Sequence, residues 1–286
     1  MALETEYANI IGPTDVVSNA VADALVQSVV CVPLIYAENL PADTRVKLWR
    51  KDGSFAAEEL AESTSTSAFG QLTQTSVSAT AAKAVSVSKL TVEAIRFREI
   101  SVASMAAKQG QSIARLLDAN IISLISGFSQ SVTATSVATP DIWMDALSTI
   151  QGSLAAKKGG NLRGILHSKA AGQLRKHLIN TSASPFTLQP MLSLLQGYES
   201  PNGYVGSLPG IDLFATTGIG TSGGDYLNLC FNPDNAFGGG YDPGVQTEVV
   251  FVGSGGVYYE ITSYMFNKVV EWVDEGGCIV KSDTGL

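Results

Sequence analysis

The longest helical periodicity in the chain lies between residues 99 and 128. Val102, Ala106, Gly110, Ile113, Leu117, Ile121, Leu124 and Phe128 recur at steps of three and four, which puts them on one stripe of a helix. Lys108, Gln111, Arg115 and Asp118 fall on a polar stripe. No proline interrupts the stretch, so the pattern predicts a single helix of about 42–45 Å, closing in Ile125-Ser126-Gly127-Phe128. Gly110 costs about 1 kcal/mol against alanine inside a helix, so packing must hold the helix there. A period of two precedes it. Val77, Ala79, Ala81, Val85 and Val87 alternate with Ser76, Ser78, Thr80, Ser86 and Ser88, interrupted by Lys83. That predicts one strand over 75–88 with the valines and alanines on one face. Its side chains are small, and such a ribbon buries little by itself. It is expected to pack on other structure or to be an edge that another chain covers.

The remaining elements are shorter. Residues 16–30 are weakly helical, and Val29-Val30-Cys31-Val32-Pro33-Leu34-Ile35 reads as extended, bracketed by Pro33 and Pro41. This suits an arm lying along other structure. A strand is expected at 45–49, then a turn at Lys51-Asp52-Gly53-Ser54. Thr139-Pro140-Asp141 opens a helix with Trp143, Leu147, Ile150 and Leu154 on its apolar stripe, ended by Lys157-Lys158-Gly159-Gly160-Asn161. A strand follows at 162–167. Ser168 is a suitable N-cap for a helix through 179, with Leu174 and Leu178 inward. Strands are expected at 211–216, 226–231 and 248–252, the last preceded by a loop at Gly238-Gly239-Gly240. Residues 257–281 are rich in β-branched and aromatic side chains and turn at Gly276-Gly277. The class is α+β, without a long internal repeat.

Composition narrows the reading. The 286 residues suffice for one large domain or two joined ones. Only 15% are charged, against the usual quarter, and Ser, Thr, Ala and Gly are abundant. Small neutral surfaces suit later coverage by partners. A net charge of −8 argues against wrapping nucleic acid with a general positive field. The basic cluster Arg45, Lys47, Arg50 and Lys51 reads as a solvated turn or a subunit contact. Cys31, Cys230 and Cys278 are too few and too scattered for a disulfide framework, which fits a reducing compartment. The first residues, MALETEYANI, have no signal-peptide pattern, and no apolar run is long enough to span a membrane.

Candidate chemistry is sparse. Gly218-Ile219-Gly220-Thr221-Ser222-Gly223 imitates a dinucleotide-binding loop. That function requires a helix to start there, and Tyr226-Leu227-Asn228-Leu229-Cys230-Phe231 reads as a strand instead. Ser168 adjoins His167, but no Gly-x-Ser-x-Gly elbow surrounds it, and His167 and His177 have no ligand partners spaced for zinc. Glu58, Glu59 and Glu62 sit among small residues and read as a solvated or subunit-pairing patch. No catalytic, cofactor-binding or metal-ligating residue emerges, and no cofactor is expected. That absence shifts weight toward a structural role.

The order of elements resembles the Hong Kong 97-type capsid fold of tailed-bacteriophage major capsid proteins, over most of the chain. The residues that carry the resemblance are Asn39-Leu40 at the end of an N-terminal arm, Glu58-Glu59-Leu60-Ala61-Glu62-Ser63 within a long hairpin, and Ile125-Ser126-Gly127-Phe128 closing the long helix. Asp141-Ile142-Trp143-Met144-Asp145-Ala146, Gly206-Ser207-Leu208-Pro209-Gly210-Ile211 and Glu271-Trp272-Val273-Asp274-Glu275-Gly276-Gly277-Cys278-Ile279-Val280 continue it. The resemblance implies an N-terminal arm at 1–43, an extended loop at 44–98 and a peripheral domain with its spine helix at 99–130. It further implies an axial domain at 131–245 and a β segment returning to the peripheral domain at 246–286. It implies a subunit that assembles with itself into hexamers and pentamers, the loop lying over a neighbour, to form an icosahedral head. Around it would stand a portal protein at one vertex, packaged double-stranded DNA without sequence-specific contacts, and no membrane. No long charged N-terminal segment could serve as a fused scaffold, so a separate scaffolding protein is implied if Met1 is the start. Lys83 does not match a cross-linking lysine. The virion is the implied location, after assembly in the host cytoplasm. An encapsulin-like cargo compartment shares the fold and is the alternative; a stand-alone α/β enzyme or binding module is the more distant one.

Overall fold

The structure is a computed structural model. It describes residues 14–40, 46–52, 74–96, 102–134, 138–153, 161–180, 203–242, 244–253 and 258–284. Arg45, Glu58, Glu59, Glu62, Leu154 and the breaker Lys157-Lys158-Gly159-Gly160 lie outside the described residues.

Two sheets share one long helix. Helix α1 is Thr14–Ser28, followed by a 3-10 turn at Val32–Leu34 and strand β1 at Tyr36–Asn39. The run expected to be extended, 29–35, is a bend and a tight turn instead, and the strand begins only after it. Strands β2 (Val46–Asp52) and β3 (Gln74–Thr80) form a two-stranded ribbon. Strand β4 spans Ala82–Thr91 and a short helix, α2, spans Val92–Arg96. The long helix α3 runs from Val102 to Ser123, 22 residues, or about 33 Å. It is shorter than its periodicity predicts, because the apolar stripe continues past it through a 3-10 turn at Ile125–Gly127.

Strand β5 is Ser131–Thr133, α4 is Pro140–Ser153, β6 is Leu162–His167 and α5 is Ser168–Asn180. Strands β7 (Tyr204–Leu208), β8 (Ile211–Thr216), β9 (Thr221–Ser222) and β10 (Asp225–Phe231) follow. The chain ends with β11 (Phe237–Tyr241), β12 (Gln246–Val252), β13 (Tyr258–Glu271) and β14 (Gly277–Asp283). A five-stranded sheet is centred on β13, which pairs with β11 and β12 on one side and β4 on the other, while β1 adds in parallel to β11. A seven-stranded sheet runs β5-β14-β10-β6-β8-β7, with β9 beside β10. Residues 257–281, one segment by composition, thus contribute strands to both sheets.

Three sequence expectations change. The strand expected over 75–88 breaks at Ala81, where β3 leaves its pairing with β2 and β4 takes up pairing with β13. The break shifts the alternation by one residue. Ala79 is buried before it, but Ala84 and Leu90 are buried after it, and Val85 and Val87 are exposed. A shift of one residue moves every following side chain to the opposite face. The glycines at 238–240 are buried strand residues of β11, not a loop. A Cβ at Gly238 would lie 2.7 Å from the Trp49 ring, and one at Gly240 would lie 2.7 Å from Leu40. Asp118, expected on the polar stripe of α3, is 8% exposed.

The largest core cluster joins Ile113, Leu117, Ile121 and Ile125 of the α3 stripe to Phe237 and Val269 of one sheet and Ile165, Leu229 and Ile279 of the other. A second cluster fills the opposite face of the seven-stranded sheet, with Trp143 and Ile150 of α4, Leu174 of α5, and Leu166, Cys230 and Val280. A third holds α1 against α3 and β13 through Val17, Val21, Ala106, Tyr259 and Ile261. Gly110 sits at that helix crossing, where a Cβ would meet the Val21 carbonyl and Ala24.

Candidate functional site

Among the described residues, the positions singled out for chemistry do not converge. The glycines at 218 and 220 lead into β9, and the turn at Gly223 (φ +64°) and Gly224 (φ +92°) joins β9 to β10, so strands and not a helix follow them. His167 Nδ1 accepts the Lys169 backbone N–H at 3.1 Å, and its ring stacks on Tyr226 at 4.1 Å. The imidazole therefore caps α5, the role expected of Ser168, and is committed to structure. Burial and the Lys169 charge hold it below its ordinary pKa. Cys31, Cys230 and Cys278 are all free and buried. Burial pushes the Cys278 thiol up to about 11. Among the described residues no group of three metal-ligating side chains occurs, and no helix is long and apolar enough to cross a membrane.

The basic cluster is resolved by the two faces of β2. Lys47, Trp49 and Lys51 point inward, opposite Ala79, Val77 and Thr75. Lys47 pairs with Glu38, and Lys51 Nζ lies 2.6 Å from Glu275 Oε2. Each hydrogen bond holds its carboxyl below the usual range. The Trp49 ring is buried over the bare backbone of Gly238, and Trp272 Nε1 donates to the Arg50 carbonyl at 3.1 Å. The base of the ribbon is thus fastened to its own subunit. Surface ion pairs contribute little to stability, so Trp49 is the principal anchor.

The outward face of the ribbon has no such partners among the described residues. Val46 and Leu48 are about half exposed (48% and 53%), opposite Thr80 and Ser78. The outward face of the five-stranded sheet continues the theme. Val85 and Val87 stand opposite Tyr264 and Thr262, while Val250 stands opposite Glu260 on the other side of β13. All three valines are exposed. Lys83 Nζ lies 3.6 Å from the Tyr264 ring centre, and the Tyr264 hydroxyl donates to Glu248 Oε1 at 3.2 Å. Among the described residues these aliphatic side chains leave apolar area open to solvent on the ribbon and on one face of the sheet.

Sequence reasoning identified the ribbon but put Val85 and Val87 on the same face as Ala79, whereas Ala79 is buried and both valines are exposed. It missed Gln109, which the structure places in a closed buried network. Gln109 Nε2 donates to Ser88 Oγ (2.6 Å) and to the Ile261 carbonyl (2.9 Å), while Ser263 Oγ donates to Gln109 Oε1 (2.8 Å). The only sequence signal is a polar residue three positions after Ala106 of the apolar stripe.

No protein-family model matches the sequence, and no curated protein matches it. Solved structures do match in shape. The capsid of Ralstonia phage GP4 superposes with a TM-score of 0.67 at 9% identity, covering 87% of each chain. Mycobacterium phage Che8 gives a TM-score of 0.60 at 14% identity, over 85% of this chain and 86% of that one. The encapsulin complex from Synechococcus elongatus PCC 7942 gives 0.58 at 11% identity, over 88% and 86%. The chain has the Hong Kong 97-type capsid fold.

Proposed function

We propose that this chain is the major capsid subunit of a tailed bacteriophage, a structural protein that assembles with itself into hexamers and pentamers of an icosahedral head. The observation that carries the reading is the pair of exposed apolar faces, Val46 with Leu48 and Val85 with Val87 and Val250, on a fold whose solved examples include phage capsids. A neighbouring subunit supplies the missing half of each face, and many weak contacts repeated around closed symmetry give a stable shell. The arm is assigned to 1–43, the extended loop to 44–98, the peripheral domain to 99–130 and 246–286, and the axial domain to 131–245. Packaged double-stranded DNA, a portal protein and a separate scaffolding protein are the partners this reading brings with it. It places the chain in the virion after assembly in the host cytoplasm, without membrane, cofactor or catalysis.

Electron microscopy of the purified protein tests the reading. Closed shells or ring-shaped capsomers are the expected result, and a monomer at high concentration with and without scaffold would sink it. Replacing residues 53–73 by a short Gly/Ser turn should leave a subunit that unfolds cooperatively but does not close shells. The likeness to the encapsulin complex supports a second reading, a shell around a protein cargo. Particles purified from the native source separate the two by content, DNA in one case and a cargo protein in the other.

A further inference from the structure

The 3-10 turn at Val32–Leu34 lies where three parts of the subunit meet. It follows α1, which packs on α3, and it leads into β1, which joins the five-stranded sheet beside β11. Two charged side chains from different parts hold it. Asp118 of α3 accepts the Val30 N–H at 3.0 Å through Oδ2 and the Cys31 N–H at 2.8 Å through Oδ1. The Val32 amide also acts on this carboxylate, and the next residue, Pro33, has no N–H. From the seven-stranded sheet, Arg163 of β6 donates to the Pro33 carbonyl at 2.8 Å. An anion thus sits at the donor end of the turn and a cation at its acceptor end, the arrangement that peptide dipoles favour.

Burial alone would exclude a carboxylate from this place. Burial pushes the Asp118 carboxyl up, and the amides only partly offset that. The neighbouring ionisable groups, Cys31 on the arm and Tyr241 on β11, are both held neutral by burial and by the Asp118 charge. Among the described residues no cation faces the carboxylate in compensation. A leucine or alanine would avoid the cost of a buried charge but would leave the Val30 and Cys31 N–H groups without this acceptor.

We propose that Asp118 and Arg163 are the two jaws of one clasp, which closes on the Val32–Leu34 turn and couples the N-terminal arm to the position of the seven-stranded sheet relative to α3. Releasing either jaw frees the turn from the other. The consequence for assembly rests on the capsid reading: a subunit that must change the angle between its two sheets to fit different places in a shell does so with its arm, not independently of it.

The clasp itself is testable on the unassembled full-length subunit. Amide hydrogen exchange at Val30 and Cys31 is measured in Asp118→Ala, Arg163→Ala and the double variant. Expected is at least about a tenfold rise in exchange for each single variant, about 1.4 kcal/mol in the opening equilibrium, with the double variant no faster than the more affected single one. Multiplying effects in the double variant would mean two unrelated contacts and would overturn the clasp. So would unchanged exchange in Arg163→Ala. If Asp118→Ala does not fold, Asp118→Asn, similar in volume and with one acceptor oxygen, replaces it under the same criteria. A second readout separates this proposal from the capsid reading. Coupled exchange in a protein that never forms shells leaves the clasp standing and removes the shell. Shells of unchanged size and yield from clasp variants with freed turns would remove the coupling to assembly.

Discussion

The two sheets of this subunit are built on opposite plans. In the five-stranded sheet, β13 alternates strictly, with Tyr259, Ile261, Ser263, Met265, Asn267 and Val269 buried and the residues between them partly exposed. Among the described residues α3 and α1 cover one face, and the other face is covered only at β11, by Trp49 over Gly238 and Leu40 over Gly240. In the seven-stranded sheet, successive residues are buried in both directions. Leu229 joins the core under α3 and Cys230 the core under α4; Ile165 and Leu166 divide the same way, as do Ile279 and Val280. A sheet covered on both faces needs an apolar residue at every position, and a sheet covered on one face needs one at every second position. The seven-stranded sheet spends both faces on its own subunit, while the five-stranded sheet and its ribbon keep Val46, Leu48, Val85, Val87 and Val250 exposed among the described residues.

Each plan has its own polar lock. Gln109 ties α3 to β4 and β13 in the first sheet. In the second, buried Asn228 donates to the Val280 carbonyl (3.1 Å) and Ser282 Oγ (2.9 Å) and accepts the His167 N–H (2.8 Å). Both amides are fully occupied, and satisfied polar networks of this kind fix register as well as adding energy.

The most damaging way to break the comparison is at the residue both sheets share. Leu117→Asp puts a carboxylate without partners into the common core. It should cost more than about 4 kcal/mol, so no soluble folded subunit is expected. Arg115→Asp, on the exposed side of the same helix, should stay within about 0.5 kcal/mol by thermal melting. Equal damage from both would mean that the α3 stripe is not the shared core. Next comes the lock of the one-faced sheet. Gln109→Leu removes the acceptor of the Ser263 hydroxyl, which keeps Thr247 Oγ1 at 3.1 Å, and the side-chain donor to Ser88 Oγ and the Ile261 carbonyl, at a cost of about 1–3 kcal/mol in urea unfolding. Asn228→Leu should cost a similar amount, and a neutral result at either site would show that register there is set by apolar packing alone.

A smaller effect distinguishes the sheets by pH. His167 has a folded pKa below its ordinary 6.5, so the folded protein binds fewer protons than the unfolded one in that window. Its contribution is fully present above 6.5 and is lost as pH falls through that value toward the folded one. Melting of the wild type should therefore fall between pH 7.5 and pH 5 slightly more than melting of His167→Asn, which keeps a capping oxygen and does not titrate. Identical slopes would mean that the Nδ1 cap does not form. The smallest folding effect belongs to the outward faces. Val87→Lys and Leu48→Lys should change subunit stability by less than about 0.5 kcal/mol while preventing shell closure, read by sedimentation. Normal shells from both variants would return these faces to ordinary solvent-exposed surface.

Much of the element order was legible from residue pattern alone. The α3 stripe, β6 and β8 lie at the expected positions, because their spacing reflects burial in this chain's own core. The break at Ala81 was not legible. Serine, alanine and valine are small enough to sit on either face, so composition there does not say which face is inside, and only pairing with β13 decides it. The glycines of β11 looked like a loop for a related reason. Their missing side chains are filled by Trp49 and Leu40 from distant parts of the chain.

By itself, then, the sequence determined which segments are helix or strand wherever the local period is strong. Tertiary structure alone decided that Asp118 is inside, that Lys47 and Lys51 serve their own subunit, and that Val85 and Val87 face out. The reason is physical. Local period reports which side of an element is apolar, but burial of a charge or exposure of a valine depends on partners far away in the chain. Asp118 meets its amides 87 and 88 residues away in sequence, and no local pattern carries that information.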